Sequence, residues 1–459
     1  MPAMTYFTPA LHLNASLPLI NGYEPEKVLV IRNGKHITQR QFLHDLNKVT
    51  AQLPDAGFAL NLCEDRYYFL LAFCAVLIKG AVNLLPSNRQ PTTLLELAQD
   101  YPDCYCLFDS EQPCELPNYN LSIFMQHDPI RHDVLRDELS LPSIPAQQIA
   151  AIAFTSGSTG KPKPNAKAWG TLAATARMLG QKLMPEPVAI VATVPSQHMY
   201  GLETTLLMAL QAGAIMHSAK PFFPADIKDI LTQLTVPAVL VSAPVHLRAV
   251  VQSELTMPQL AGIISATAPL DVEIAQKSEA LFNTHLREIF GCTEAGSMAT
   301  RRSTVTDAWQ LLEGFILTET TEGIVANAPH LSEAAPLQDQ LEFNAAGEFL
   351  LRGRNADMIN VAGKRASLAN LTLQLLRIEG VKDGVIFLPK EQLHAEPRPV
   401  ALVVSDLPEK QIVSALAQYV DAAFLPRPLR KVDALPRSET GKLTAAALQT
   451  LWSQLSDKH

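Results

Sequence analysis

Apolar positions recur along this chain in two alternating rhythms. Gln39 to Leu53 carries them at helical spacing, and Leu70 to Ile78 is apolar on every side, which predicts a buried helix. Between such stretches lie short apolar runs of strand length. They are Ala81-Val82-Asn83-Leu84-Leu85-Pro86, Tyr105 to Asp109, Ile149 to Phe154, Val188 to Val194, Ala238 to Val241 and Gly262 to Ser265. Strands alternating with helices predict a layered α/β fold with largely parallel sheets. Leu116 to Gln148, rich in Pro and Asp, breaks the rhythm and is expected to be an irregular connection. There is no internal repeat and no low-complexity tract.

The pattern restarts near Arg354 to Asp357. Beyond it come an apolar helix (Leu368 to Ile378), strands at Val385 to Leu388 and Val400 to Val404, and a further helix. About a hundred residues is a reasonable size for a small α/β domain. The expected division is therefore 1–353, a large N-terminal part, and 354–459, a small C-terminal one.

Composition narrows the class. At 459 residues and 47% hydrophobic content, the chain can bury cores for two or more domains. No uninterrupted apolar run reaches the length of a membrane helix, and the N-terminus lacks the basic start and apolar core of a secretion signal, so a cytoplasmic protein without membrane insertion is expected. A formal charge of −8 does not suggest nucleic-acid binding. Six cysteines in this length make no disulfide scaffold, and Cys104 and Cys106 have no second pair at zinc-site spacing. Cys292 is expected to be a small filler residue rather than a nucleophile.

Candidate chemistry is densest just after the run Ile149 to Phe154. The string Thr155-Ser156-Gly157-Ser158-Thr159-Gly160-Lys161-Pro162-Lys163 follows it. Glycines there let backbone N–H groups approach an anion, hydroxyls add donors and lysines add charge, which makes a phosphate cradle. It is not the P-loop of kinases and GTPases. That motif has four residues between its glycines and Ser or Thr after the lysine, whereas two separate Gly157 from Gly160 and Pro162 follows Lys161.

The loop resembles the phosphate loop of the adenylate-forming superfamily: acyl- and aryl-CoA synthetases, luciferases and the adenylation domains of peptide synthetases. Four further segments resemble that family in the same order. They are Pro195-Ser196-Gln197-His198-Met199-Tyr200-Gly201, Phe290-Gly291-Cys292-Thr293-Glu294, Gly353-Arg354-Asn355-Ala356-Asp357-Met358-Ile359 and Leu435-Pro436-Arg437-Ser438-Glu439-Thr440-Gly441-Lys442. The resemblance implies a large N-terminal domain of layered α/β subdomains under a small, mobile C-terminal α+β domain. It implies a carboxylate joined to the α-phosphate of ATP with release of pyrophosphate, then passage of the acyl group to the thiol of CoA or of a carrier protein's phosphopantetheine. Both partners of the first step are anionic, so positioning and charge neutralisation must carry the catalysis.

By the same resemblance, Thr155 to Lys163 would hold the β- and γ-phosphates, Glu294 would bind Mg²⁺, and Thr293 would help hold the phosphate end. Phe290, followed by Gly291, would stack near the adenine. Asp339, eight residues before Gly347, and Arg354 would bind the ribose. Lys442 would bridge carboxylate and α-phosphate in the first half-reaction, and Arg365 would face the phosphates or the thiol tunnel. His198 would border the carboxylate pocket as a wall or gate; a general base is unnecessary, since a carboxylic acid is already ionised at neutral pH.

Four positions depart from the family pattern. Pro164-Asn165 stands where glycine is usual, Ala266-Thr267-Ala268 where Gly-Gly-Ala is usual, Ala356 at the hinge in place of Asp or Lys, and Asn370-Leu371-Thr372 in place of Glu-Ile-Glu. The segment Pro164 to Gly170 is similar to stand-alone ligases of bacterial aryl-polyene and xanthomonadin-type pigment clusters, which activate aromatic acids. Two other readings stay open: a catalytically silent nucleotide- or acyl-binding relative, and a phosphotransferase, which the loop spacing disfavours. Residues 355–459 hold 13 basic and 11 acidic residues, a balance of +2 against −10 for the rest. Arg427, Arg430, Lys431 and Arg437 cluster there as an expected landing site for an anionic thiol carrier.

Overall fold

The computed structural model of the chain describes residues 15–86, 88–110, 116–126, 140–156, 162–184, 188–354, 357–361, 364–389, 398–438 and 441–456. The apolar runs become the inner strands of two large sheets. One has six strands in the order Pro162–Ala168, Ile149–Ser156, Val82–Leu85, Phe58–Asn61, Cys104–Phe108 and Asn118–Asn120. Only its first pair is antiparallel. The other has nine strands and contains, side by side and parallel, Leu286–Cys292, Gly262–Ser265, Ala238–Ser242, Ala189–Ala192, Ile215–His217 and Val28–Arg32. Antiparallel strands close both of its edges.

Helices start where caps allow. Thr38 and Gln41 form a reciprocal capping box at Gln39–Gln52, and the Asp65 carboxylate accepts from the Tyr67 and Tyr68 amides at the start of Arg66–Ile78. The latter helix is buried without interruption from Phe69 to Leu77, within the largest core cluster. Each such Leu or Phe contributes about 1.5–3 kcal/mol by leaving water.

The expectation for Leu116 to Gln148 needs correction. Asn118–Asn120 adds a parallel strand to Cys104–Phe108, a helix follows at Leu121–Gln126, and Ser143–Pro145 pairs with Ser16–Pro18. Single buried anchors, Leu121 and Ile144, hold these pieces, and elements that short leave no periodicity to read.

The C-terminal part has its own three-stranded sheet, Val381–Phe387, Val400–Ser405 and Leu429–Lys431. Helices Leu368–Leu376, Glu409–Leu416 and Ala445–Ser456 accompany it, and it has core clusters of its own. It meets the N-terminal part through Arg377 Nε, which donates to Asp271 Oδ2 at 2.6 Å, and Arg248 Nη1, which donates to the Leu376 carbonyl at 3.0 Å. Two of the four residues of the expected basic landing site have partners within the C-terminal part. Arg430 lies over the Trp452 ring and donates to the Leu455 carbonyl, and Arg437 grips Asp383 with both Nε and Nη2. Arg427 and Lys431 remain on the surface.

Candidate active site

The site assembles at the ends of strands from both sheets. Ile149–Ser156 and Pro162–Ala168 run antiparallel with Ser156 opposite Pro162 and Thr155 opposite Lys163, so the phosphate loop is the connection of a hairpin. Gly157, Ser158, Thr159, Gly160 and Lys161 lie outside the described residues, as do the side chains of Thr155 and Ser156. Beyond the loop the side chains alternate. Pro164 and Ala166 face solvent, while Asn165 and Lys167 point inward and are buried.

A second hairpin joins Leu286–Cys292 to Gly296–Arg301 and carries Thr293 and Glu294 in its turn. Glycine is required at both ends. A Cβ on Gly291 would collide with the Gly296 carbonyl oxygen, and Gly296 has φ +76°. Thr293 and Glu294 are half-buried. Lys167 Nζ donates to the Glu294 carbonyl at 2.6 Å, which ties this turn to the phosphate-loop hairpin. Buried Glu203 supports it from the other side, its Oε2 accepting from the Ser297 hydroxyl at 2.5 Å and the Ser297 amide at 3.2 Å. Burial pushes the Lys167 ammonium down and the Glu203 carboxyl up, each countered by the other's charge. Burial also pushes the Cys292 thiol up to about 11, so it stays protonated at neutral pH, in keeping with a filler role.

The segment Pro195 to Gly201 crosses the carboxyl ends of the parallel strands, the usual place for a ligand in such sheets. His198 is the residue before a single helical turn, Met199–Gly201, and is half-buried. Tyr200 OH donates to the carbonyls of Ser242 and Ile264, the latter near the end of the strand Gly262–Ser265. Thr193 Oγ1 shares hydrogen bonds with Ser242 Oγ at 2.9 Å and His246 Nδ1 at 2.7 Å. Beneath them Arg66 is fully buried, and its Nη2 donates to the Ala192 and Val194 carbonyls at 2.7 and 2.6 Å. Thr267, where the family has glycine, adopts φ +84°, an outlier for a β-branched residue.

Lys442 stands exposed beside a tight turn: Ser438 N donates to Lys442 O at 2.8 Å, and Arg437 Nη1 donates to the Gly441 carbonyl at 2.7 Å. A Cβ on Gly441 would come within 2.5 Å of Val245, at the start of the helix that follows Ser242. The C-terminal lysine thus approaches the N-terminal part on the side of Ser242, His246 and Tyr200.

Asp339 is buried and opens the strand Asp339–Phe343, directly opposite Arg354 in Phe349–Arg354. The two residues expected at a ribose are therefore ladder partners. Arg365 lies in Lys364–Ser367, opposite Asn360, and the side chains of Arg354 and Arg365 are outside the described residues, as is Ala356. Phe290 packs its ring against Trp309 and Phe349 at 5.6 and 5.5 Å and is 8% exposed. The core claims it, which leaves little of the ring for an adenine. Sequence reasoning missed the roles of Lys167, Glu203 and Arg66. A charged residue on the inward face of a strand was the signal available for Lys167.

Among the described residues, no cluster of three or more His, Cys, Asp or Glu could enclose a metal ion. One carboxylate next to a phosphate cradle suits Mg²⁺, which keeps waters and substrate phosphates among its ligands.

Comparison with known proteins places this geometry. Residues 21–356 match the AMP-binding enzyme family. The chain is 27% identical over 313 residues to a 4-coumarate–CoA ligase of Rhodobacter capsulatus, covering 68% of this chain and 79% of that protein. It is 22% identical over 313 residues to a 3,4-dihydroxybenzoate–[aryl-carrier protein] ligase of Bacillus anthracis, covering 66% and 74%. Its fold is similar to that of ATP-bound MatB from Rhodopseudomonas palustris, with a TM-score of 0.78 at 18% identity over 94% of this chain and 97% of the other. It is equally similar to o-succinylbenzoate CoA synthetase from Bacillus subtilis holding its acyl-adenylate, with a TM-score of 0.79 at 16% identity over 93% and 96%.

Proposed function

The chain belongs to the AMP-binding enzyme family, and from that premise we propose that the acid it activates is aromatic. The reaction class is an AMP-forming acid–thiol ligation that uses ATP. A carboxylate oxygen forms a bond to the α-phosphorus, the bond to the β-phosphate oxygen breaks, and pyrophosphate leaves. A thiol sulfur then bonds to the acyl carbon, the acyl–phosphate bond breaks, and AMP leaves.

In this reading Thr155 to Lys163 hold the phosphates, Thr293 holds their far end, and Lys442 brings positive charge to the carboxylate and α-phosphate. Asp339 and Arg354 bind the ribose, and His198 and Tyr200 border the acid. When bound, Mg²⁺ at Glu294 neutralises phosphate charge. The acceptor is CoA or a carrier protein's phosphopantetheine, and the site of action is the cytoplasm.

The observation that carries the choice of acid is the set of relatives. Several sequence relatives are named for 4-coumarate, 3,4-dihydroxybenzoate and 2-succinylbenzoate, beside one named for a propanoate on a saturated bicyclic ring system. A catalytically silent relative is disfavoured by the retained Lys442, Glu294 and phosphate loop. The test is ATP–pyrophosphate exchange with a panel of aromatic and aliphatic acids. Aromatic acids should support exchange with the highest kcat/KM; aliphatic acids doing equally well would overturn the proposal. The accompanying product should be AMP, not ADP.

A further inference from the structure

We propose that Lys167 and Glu203 are positioning residues that together hold the Thr293–Glu294 turn in register with the phosphate-loop hairpin and the acid-binding segment. The proposal rests on the reading of Glu294 as the carboxylate that meets the cation of MgATP, and it adds two residues that neither the motifs nor the relatives' names assign.

Lys167 is 5% exposed, yet it is a lysine on the inward face of the strand that leaves the phosphate loop. Burying an ammonium is costly unless it is paired and hydrogen-bonded. Its Nζ donates to the main-chain carbonyl of Glu294 at 2.6 Å, across 127 residues of sequence. Burial disfavours its charged form, and the negative charges of Glu203, Glu294 and Glu333 favour it. An aliphatic side chain could fill the same space, but it could not hold that carbonyl.

Glu203 completes the arrangement and is 2% exposed. Its two oxygens face the far side of the turn. Oε2 accepts from the hydroxyl and amide of Ser297, and Oε1 sits where a Cβ on Gly296 would lie 2.6 Å away. Glu203 is carried on a π-helical segment, Leu202–Leu207, which directly follows the turn Met199–Gly201 after His198. Such segments shift side chains off the α-helical register and recur at functional sites. Here the shift aims a carboxylate at the base of the turn. Three parts of the site that come from distant stretches of sequence are therefore tied to one turn by two buried groups of opposite charge, Lys167 at the Glu294 carbonyl and Glu203 at Ser297. Removing either group takes away a hydrogen bond that holds the turn and should release it. Loss of an outer group behind a metal ligand typically costs about 10–100-fold in metal affinity or activity.

The experiment uses the full chain with Lys167→Met, Glu203→Gln and the double variant, the last keeping the buried charge balanced. Calorimetric binding of ATP is measured with Mg²⁺ and, separately, with excess chelator; thermal unfolding and the Mg²⁺ dependence of pyrophosphate exchange accompany it. Each variant that folds should bind MgATP about 10–100-fold more weakly and need correspondingly more Mg²⁺. Binding of metal-free ATP should weaken by a clearly smaller factor, because the phosphate loop is untouched and only the Thr293 contact is disturbed. Equal weakening with and without metal, or no change in either, would overturn the proposal. If a single variant fails to fold, the double variant decides by the same comparison. A wild type that binds MgATP but exchanges pyrophosphate with no acid would sink the ligase reading and leave this one to the binding data. A wild type that does not bind MgATP would overturn both.

Discussion

A lysine in solvent contributes little to folding, so Lys442 can be removed without disturbing the molecule that carries it. What it would supply is charge in the transition state of the first half-reaction. Lys442→Ala should therefore leave the melting temperature unchanged and slow pyrophosphate exchange by at least about 100-fold, the scale of losing one oxyanion donor. Thioester formation from a supplied acyl-adenylate should fall far less. Near-normal exchange would remove Lys442 from the mechanism. Cys292 makes the opposite case. It lies inside one of the five motifs, but burial holds its thiol protonated to about pH 11. Cys292→Ala should retain near-wild-type exchange and thioester formation; loss of the second step alone would mean that the sulfur carries the acyl group. The motif Phe-Gly-Cys-Thr-Glu is legible as a string, but its letters divide by environment: Phe290 into the core, Cys292 and Glu294 to half-buried positions at the turn.

At the scale of elements, what matters is how strand ends are held. Arg66 opens a helix, yet its guanidinium reaches across to the carbonyls of Ala192 and Val194, and its Nη1 to the Ser196 hydroxyl at 3.4 Å. It thereby fixes the run that leads into His198. Arg66→Met keeps the bulk and leaves two buried carbonyls without their donor, at about 1–3 kcal/mol each. We expect a urea midpoint lowered by an amount equivalent to about 3 kcal/mol, and a raised KM for the acid with a smaller effect on ATP. An unchanged KM would make Arg66 a stability residue alone. Its helix was visible as an apolar run from Leu70, but the first turn, including this arginine, was not, because a cap and a charged residue carry no apolar period.

At the scale of the molecule, one group outside the site ties stability to pH. His330 is buried, its ring meets Phe315 edge-on, and burial holds it down to about 4. In the unfolded chain it titrates near 6.5. Between those values a falling pH protonates the unfolded state but not the folded one, so stability drops from pH 6.5 to pH 4 and the contribution levels off below that. The full loss is about 3 kcal/mol at 1.36 kcal/mol per pH unit. His330→Phe keeps the ring contact and removes the proton site. Its urea midpoint should fall less between pH 6.5 and 4.5 than that of the wild type; parallel curves would place the acid sensitivity elsewhere. The basic cluster of the C-terminal part also resolves only at this scale. Counted along the chain its cations are equivalent, but Arg430 and Arg437 brace the last helix and the Lys442 turn, while Arg427 and Lys431 stay exposed.

What the sequence determined by itself is whatever repeats locally or is read as a string. The alternation of helices and inner strands and the order of five motifs sufficed for the α/β layers and the family. Tertiary structure alone decided which buried groups meet. Nothing near Lys167 announces Glu294, 127 residues away, and nothing near Glu203 announces Ser297, 94 residues on. Period and propensity report the face that a residue turns within its own element. The partner waiting on that face is set by how distant elements pack, and for a buried charge that partner determines whether it can be there at all.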